Sequence, residues 1–304
     1  MTPTTLSLPS FAKINWFLRI LGKRADGYHE LITVLQTVSL CDELTFDLRE
    51  DGEIVLTCDD PQIPTDSTNL IVKATVAFQN HLGCTLGADI KLTKRIPAKG
   101  GLGGASSNAA LTLLALNVLW QAKLKTDELT PLASELGADV PFFLIGGRCV
   151  ATGTGTTISR LPDASRQYLI IVAPNTTVAT ANAYASLNAG SLTTSDSDSI
   201  LSSSLAEQTS ADSTQWRLRN DFETVIFEIE PEIERVKIAL LETGARGALL
   251  AGSGSSVFGV FDDEATRDRA FENLRCEAGW KVFPCHTLSR DEYVRPIIPL
   301  FTLS

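Results

Sequence analysis

The sequence predicts an α+β fold, and three observations carry that reading. Strand and helix signals come in uneven order along the chain, without the regular β-α alternation of a doubly wound sheet. A glycine-rich loop, Pro97 to Ser107, opens directly into the strongest helix signal. A second glycine-serine loop, Gly252 to Ser256, lies between two apolar strand-like runs. The length of 304 residues suits about two domains.

Taken in order, Leu6 to Leu21 alternates loosely and carries Ile14, Trp16, Phe17 and Ile20, the pattern of a strand. Leu31 to Leu40, Glu43 to Leu48 and Ile54 to Cys58 read as three more. Leu70 to His81 has helical spacing through Ile71, Ala74, Ala77 and Phe78. Ala88 to Leu92 is a short strand that leads to the glycine loop. Asn108 to Gln121 is a helix apolar on most faces, as a buried helix is. Asp127 to Leu136 is a second helix, stopped by Gly137. Cys149 to Thr152 and Tyr168 to Ala173 are strands. Ile229 to Leu241 and Ala265 to Ala278 are helices, and Gly247 to Ala251 and Val257 to Phe261 flank the second loop as strands. Residues 189–215 are dense in Ser, Thr and Asp and poor in large apolar side chains, which predicts a flexible surface insertion.

Composition excludes several classes. A net charge of −10 argues against a nucleic-acid binder, which needs a basic stripe to meet phosphates. No run of about 18 apolar residues exists, so no membrane span is expected. There is no signal-peptide pattern, and the six cysteines are scattered without metal-site spacing, which suits a reducing cytoplasm.

The loop Pro97-Ala98-Lys99-Gly100-Gly101-Leu102-Gly103-Gly104-Ala105-Ser106-Ser107 is built for an anion. The first turn of a helix has unpaired N–H groups, and its dipole favours negative charge. Glycine lets the backbone approach a phosphate closely. It is not a P-loop, because Lys99 precedes the glycines instead of following them. It is not a dinucleotide fingerprint, because Ser106 stands where the third glycine belongs. Lys13, Lys94, Arg95 and Lys99 supply basic residues near the loops. For Lys94 and Arg95 a solvated strand end fits as well as a phosphate contact.

The pattern Pro-x-x-x-Gly-Leu-Gly-x-x-Ser-Ser-x-Ala resembles the second motif of the superfamily of galactokinase, homoserine kinase, mevalonate kinase and phosphomevalonate kinase. Ala12-Lys13-Ile14-Asn15, Arg24-Ala25-Asp26-Gly27-Tyr28-His29-Glu30-Leu31, Leu136-Gly137-Ala138-Asp139-Val140-Pro141 and Leu250-Ala251-Gly252-Ser253-Gly254-Ser255-Ser256 extend the likeness. In this order the set is similar to the 4-diphosphocytidyl-2-C-methyl-D-erythritol kinase family, from about Ser10 to Phe261. Lys99, where a small residue is common, and Ala105, where glycine is frequent, depart from that pattern.

The resemblance implies a two-domain kinase fold. An N-terminal α+β domain over 1–160 would hold the phosphate loop, and a ferredoxin-like α+β domain would fill 161–304, with the active site in the cleft between them. It implies transfer of a phosphoryl group from ATP, with Mg²⁺, to the 2-hydroxyl of a small-molecule substrate that carries a cytidine diphosphate group. Pro97 to Ser107 would bind ATP. Asp139 would take the acceptor's proton, and Lys13 would hold Asp139 ionised and stabilise developing charge. An aspartate placed after a helix C-terminus meets the negative end of the dipole, so a cation beside it is expected on physical grounds too. Read alone, Asp139 is a turn residue before Pro141 and Lys13 a strand-edge lysine. Asn15 would hold a hydroxyl of the substrate. Tyr28 would stack on the cytosine, His29 would bond its edge, and Tyr184 would supply a second ring. Read alone, Tyr28 and His29 are the tip of a hairpin. Ser106 and Ser107 are both candidate metal ligands, with neither assigned. The expected protein is cytoplasmic, binds no nucleic acid or membrane, and is a monomer or weak homodimer. Another kinase of the superfamily and a non-catalytic metabolite sensor are the competing readings.

Overall fold

The computed structural model describes residues 4–178, 180–187 and 218–297. The insertion expected at 189–215 lies outside the described residues. The chain opens with two long strands, β1 (Thr5–Lys23) and β2 (His29–Arg49), paired antiparallel from Thr5 opposite Asp47 to Lys23 opposite His29. Two strand signals in the sequence, Leu31 to Leu40 and Glu43 to Leu48, are thus one strand. The break between them is a register shift, where Phe11 faces Cys41 but Ala12 faces Val38. Such a bulge bends a strand and lets its halves take different neighbours.

β3 (Ile54–Cys58), α1 (Leu70–Leu82), β4 (Gly87–Thr93), α2 (Gly104–Leu119), α3 (Thr126–Leu136), the single turn α4 (Val140–Phe143), β5 (Arg148–Gly153) and β6 (Thr157–Arg160) follow. The Glu43–Arg49 half of β2 pairs with β4, and its Leu31–Gln36 half pairs with β5. β3 runs parallel to β4. Every residue of α2 from Ser107 to Leu119 is buried, as its all-round apolar sequence predicts. Gly137 ends α3 with its N–H on Ala133 O at 3.3 Å, in extended backbone.

The second half contributes β7 (Tyr168–Pro174), α5 (Thr180–Ser186), β8 (Arg219–Asn220), α6 (Glu223–Ile229), α7 (Pro231–Glu242), β9 (Gly247–Leu250), β10 (Val257–Phe261), α8 (Glu264–Leu274), β11 (Trp280–His286) and α9 (Arg290–Val294). β11, β7, β10 and β9 form an antiparallel four-stranded sheet in that order. β8 instead joins the first sheet, parallel to β1 at Phe17 and Leu18. The helix expected over Ile229 to Leu241 is α7, starting two residues later at Pro231, because Glu230 leaves helical geometry; for α6 before it the sequence predicts no helix. β6, β8 and β11 and the short helices α4, α5 and α9 have no clear signal in the sequence.

The elements stack in layers. Leu44, Phe46 and Ile90 face α1 and α2 in one core. Ile14, Trp16 and Val34, on the other face of β1 and β2, meet Ile171, Phe258 and Val260 of the second sheet. Trp16 and Phe258 touch edge to face with centroids 5.5 Å apart. A third core lies between the second sheet and α6, α7 and α8. α9 returns to the first core, where the Tyr293 hydroxyl donates to Phe143 O at 2.5 Å. The result is an α+β molecule whose two sheets meet face to face.

Candidate active site

The two glycine loops touch each other. Gly103 caps α2 in left-handed backbone at φ 70°, which puts the loop at the helix N-terminus, the positive end of its dipole. The second loop is the β9–β10 turn, closed by the Ala251 N–H on Ser256 O at 2.8 Å. Ser256 N–H then donates to Gly100 O at 3.2 Å and ties one loop to the other. Their contact admits no side chains: a Cβ on Gly101 would lie 1.8 Å from Ala251 O, and one on Gly254 would lie 2.1 Å from Gly101 N.

β1 carries the charged half of the site. Alternation puts Ile14 and Trp16 into the sheet–sheet core and leaves Lys13 and Asn15 on the opposite face. The Lys13 main-chain N–H donates to Leu102 O at 2.9 Å, so the strand is anchored to the phosphate loop. Lys13 Nζ donates to Asn15 Oδ1 at 2.9 Å and lies 3.4 Å from Asp139 Oδ2. Asn15 Nδ2 donates to Thr33 Oγ1 at 2.8 Å, and Thr33 Oγ1 donates to Phe17 O at 2.7 Å. This chain of bonds fixes the ammonium on a rigid strand. Asp139 is the third residue after α3 and directly precedes α4, where its carboxylate caps no N–H and is left to face Lys13. Asn15, expected to hold a substrate hydroxyl, spends its amide on Lys13 and Thr33 while still lining the cavity beside them.

Two cavities meet at the glycine loop. One, of about 340 Å³, is lined by Lys13, Asn15, Asp139, Thr154, Tyr184 and Phe222 among others. The other, of about 470 Å³, runs along the outer side of the loop from Pro97 to Ser106 and takes in Asn69, Lys94 and Asn108. Gly101, Gly103 and Ser106 belong to both. Ser107 is turned inward, its hydroxyl accepting from Ser10 Oγ at 2.8 Å. Lys99 lines the outer cavity in left-handed backbone at φ 60°.

Tyr28 stands at the β1–β2 turn, 67% exposed, and is not part of the cavity wall. His29 instead packs on Tyr184, with centroids 5.1 Å apart and planes at 34°. Tyr184 meets Phe222 edge to face at 4.8 Å. Burial pushes the Tyr184 phenol up to about 12, helped by the negative charge of Asp139, so it stays protonated at neutral pH. Burial also pushes the His29 imidazole down, with the Lys23 charge acting the same way. Thr33, Thr154, Gly155 and Phe222 line or brace this site, and nothing in the sequence singles them out for it. Phe222 does carry a signal, an isolated aromatic in a polar stretch after Arg219-Asn220-Asp221, but no local pattern gives it a role.

No group of three or more His, Cys, Asp or Glu side chains among the described residues is placed to hold a metal. What the site offers is the Ser106 hydroxyl at the junction and the Asp139 carboxylate on the inner cavity. So sparse an oxygen set fits Mg²⁺ that arrives on nucleotide phosphates and keeps several waters, and it does not fit an all-protein cage. No helix among the described residues is long and apolar enough to cross a membrane.

Known proteins share the family and the fold. The family model for the GHMP kinases N terminal domain matches residues 69–147, and that for the GHMP kinases C terminal matches residues 203–279. Fold and loops thus define an ATP-dependent small-molecule kinase of the GHMP class. A 4-diphosphocytidyl-2-C-methyl-D-erythritol kinase of Syntrophus aciditrophicus is 39% identical over 91% of this chain and 98% of its own. One from Pseudomonas syringae pv. syringae is 44% identical over 88% of this chain and 90% of its own. A crystal structure of 4-(cytidine 5'-diphospho)-2C-methyl-D-erythritol kinase superposes with a TM-score of 0.76 at 32% identity, covering 93% of this chain and 99% of that one. The chain belongs to the 4-diphosphocytidyl-2-C-methyl-D-erythritol kinase family.

Proposed function

We propose that this chain transfers the γ-phosphoryl group of ATP to the 2-hydroxyl of 4-diphosphocytidyl-2-C-methyl-D-erythritol, giving the 2-phosphate and ADP. The observation that carries this is the junction of two cavities at Gly101, Gly103 and Ser106, with Lys13 and Asp139 on the inner side. A donor on the outer side and an acceptor on the inner side would meet at that junction.

Phosphoryl transfer spreads charge over the transferred oxygens, so positioning and electrostatics dominate its catalysis. The N–H groups of the Pro97 to Ser107 loop and the α2 dipole hold the phosphates. Asp139 Oδ2 accepts the proton of the acceptor hydroxyl. Lys13 Nζ, 3.4 Å from Asp139 Oδ2, faces the developing negative charge. Asn15 and Thr33 hold that ammonium in place, and Asn15 also borders the acceptor. Tyr28 and Tyr184 would flank the cytosine, and His29, packed on Tyr184, would bond its edge. Mg²⁺, held by Ser106 and Asp139 with the phosphates, would neutralise the phosphate charge when bound.

The same reading divides the chain into an N-terminal domain over 1–160 and a C-terminal domain over 161–304, with α9 strapped back across the first core. It also takes the protein to be cytoplasmic, a monomer or weak homodimer, and without a nucleic-acid partner. The test is an ADP-release assay over the cytidyl substrate, homoserine and mevalonate. Turnover with the cytidyl substrate alone is expected. Turnover with either of the others and none with it would overturn the proposal.

A further inference from the structure

Asn220 lines neither cavity, yet its amide holds a part of the inner one on each side. It belongs to β8, the two-residue strand that runs parallel to β1 at the edge of the first sheet. Its neighbour Asp221 fixes that docking. The Asp221 N–H donates to Leu18 O at 3.0 Å, and Asp221 Oδ2 accepts from the Ile20 N–H at 2.9 Å. Asn220 is buried, so its polar atoms must find their partners within the protein.

Asn220 Nδ2 donates to Leu250 O at 2.9 Å and to Gly252 O at 2.7 Å. Its Oδ1 accepts from the Phe222 N–H at 3.0 Å. Two carbonyls and one N–H fix which way the amide faces. Leu250 ends β9, the edge strand of the second sheet. On that open edge the main chain has no strand to pair with. The Leu250 N–H goes to Glu223 Oε1 at 3.1 Å, and its carbonyl goes to Asn220. One amide therefore joins the edges of the two sheets.

The two ends of the amide lead to different parts of the site. Gly252, in left-handed backbone at φ 58°, stands against the charged group. A Cβ there would lie 3.3 Å from Lys13 Nζ, 3.4 Å from Asn15 Oδ1 and 3.2 Å from Gly101 O. Phe222 is fully buried, lines the inner cavity and meets Tyr184 edge to face.

We infer that Asn220 is a positioning residue for the phosphoryl transfer. Through Gly252 it sets the second glycine loop against Lys13, and through Phe222 it sets the aromatic wall of the acceptor pocket. One side chain thus keeps the transfer centre and the acceptor in register. This rests on the reading of the inner cavity as the acceptor site.

The two functions of the amide can be removed separately. Asn220→Ala removes all three bonds. Asn220→Asp has nearly the same shape and keeps an oxygen for the Phe222 N–H. Whatever its charge, it donates at most one proton where the amide donates two. The loop then loses at least one of its two ties while the aromatic wall keeps its own. Initial rates of ADP release by the full chain, taken well below the melting temperature, give kcat and KM for the cytidyl compound.

Asn220→Asp is expected to lower kcat about tenfold with that KM close to wild type, because a displaced loop beside Lys13 costs rate and not binding. Asn220→Ala is expected to lower kcat as much and also to raise KM several-fold as Phe222 is released. A merely structural role would lower the melting temperatures and produce no such division. An unchanged kcat in folded Asn220→Asp overturns the inference, and so does a KM raised as far as in Asn220→Ala. If Asn220→Ala does not fold, KM of Asn220→Asp is judged against wild type. If Asn220→Asp does not fold, Asn220→Ser decides, since one hydroxyl serves at most one of the two carbonyls. The same fall in kcat supports the inference, and an unchanged kcat overturns it. Wild-type protein that phosphorylates homoserine or mevalonate and not the cytidyl compound refutes the functional reading, and kcat of Asn220→Asp with that acceptor still judges this one.

Discussion

Lys13 Nζ and Asp139 Oδ2 sit 3.4 Å apart, yet the lysine side chain is 5% exposed and the aspartate 39%. The asymmetry has a physical sense. The cation is fixed in the strand by Asn15, and the carboxylate is the half that a substrate hydroxyl can reach. Asp139→Asn keeps the shape and removes the proton acceptor. It is expected to lower turnover by about 10²–10⁴-fold with ATP binding preserved. Lys13→Ala is expected to lose a similar amount, and the double variant little more than either single, because the two act as a unit. Additive losses in steady-state kinetics would separate them.

The contact between the loops sets a second expectation. A methyl on Gly254 collides with Gly101 N at 2.1 Å and Gly100 C at 2.2 Å, all main chain. Gly254→Ala should therefore lower stability by about 1–3 kcal/mol and raise KM for ATP as the phosphate loop is displaced. Gly83→Ala is the control, since its Cβ meets nothing within 4 Å and only its φ of 60° is strained. That change should cost about 1 kcal/mol and leave KM for ATP alone. Equal KM values for both variants would show that the loop contact does not shape the site.

Much of this site is legible in the sequence because its chemistry is local. A run of four glycines before a helix can be read without any tertiary contact, and so can Lys13 and Asp139 once the motifs around them are matched. What cannot be read depends on distant pairing. The β2 bulge gives a signal, the pause between Leu40 and Glu43, but its meaning depends on β4 and β5 taking different halves of the strand. Asp42 has a signal as well, a carboxylate in phase with Leu44 and Phe46, and a charged residue on an inward face needs a partner. Its partners are more than fifty residues away, at Lys94 to Ile96 and Asn108. The stacking role of Tyr28 comes from the family resemblance alone; read by itself Tyr28 is a hairpin tip, and the packing of His29 on Tyr184 depends on a partner more than 150 residues away.

Those rings give a third expectation. Tyr184→Ala removes the face that His29 packs on and the edge contact to Phe222. Binding of the cytidyl substrate should weaken by about 1–3 kcal/mol, with ATP affinity unchanged. His29→Ala should reduce the preference for the cytidyl over the uridyl compound more than Tyr28→Ala does, because edge bonds discriminate between bases and stacking does not. If these variants raise KM for ATP instead, the cytosine pocket lies elsewhere.

The pH dependence follows from His29. Burial holds its imidazole below the ordinary value of 6.5 in the folded protein. Between 6.5 and that lower value the unfolded chain binds more protons, so stability is full above 6.5 and declines as the pH falls through the window. KM for the cytidyl substrate should rise only at and below the lower end of that window, where the folded protein loses the neutral ring. His286 is shifted in the same direction, chiefly by burial, so the quantity to measure is wild type against His29→Gln. The variant should lose the His29 share of both trends. Parallel pH profiles for the two proteins would remove His29 from the substrate pocket.

The identity of the phosphorylated carbon tests the central claim most directly. Carbon 2 of the methylerythritol bears a methyl group and no hydrogen, while its other hydroxyl carbons carry one or two. The product of the full chain with ATP and the cytidyl substrate can be read by proton-coupled phosphorus NMR. Transfer to the tertiary 2-hydroxyl predicts a new phosphomonoester signal with no three-bond splitting from a carbinol proton, formed in step with ADP. A doublet or triplet in its place, or ADP released with no new phosphomonoester at all, would contradict the account.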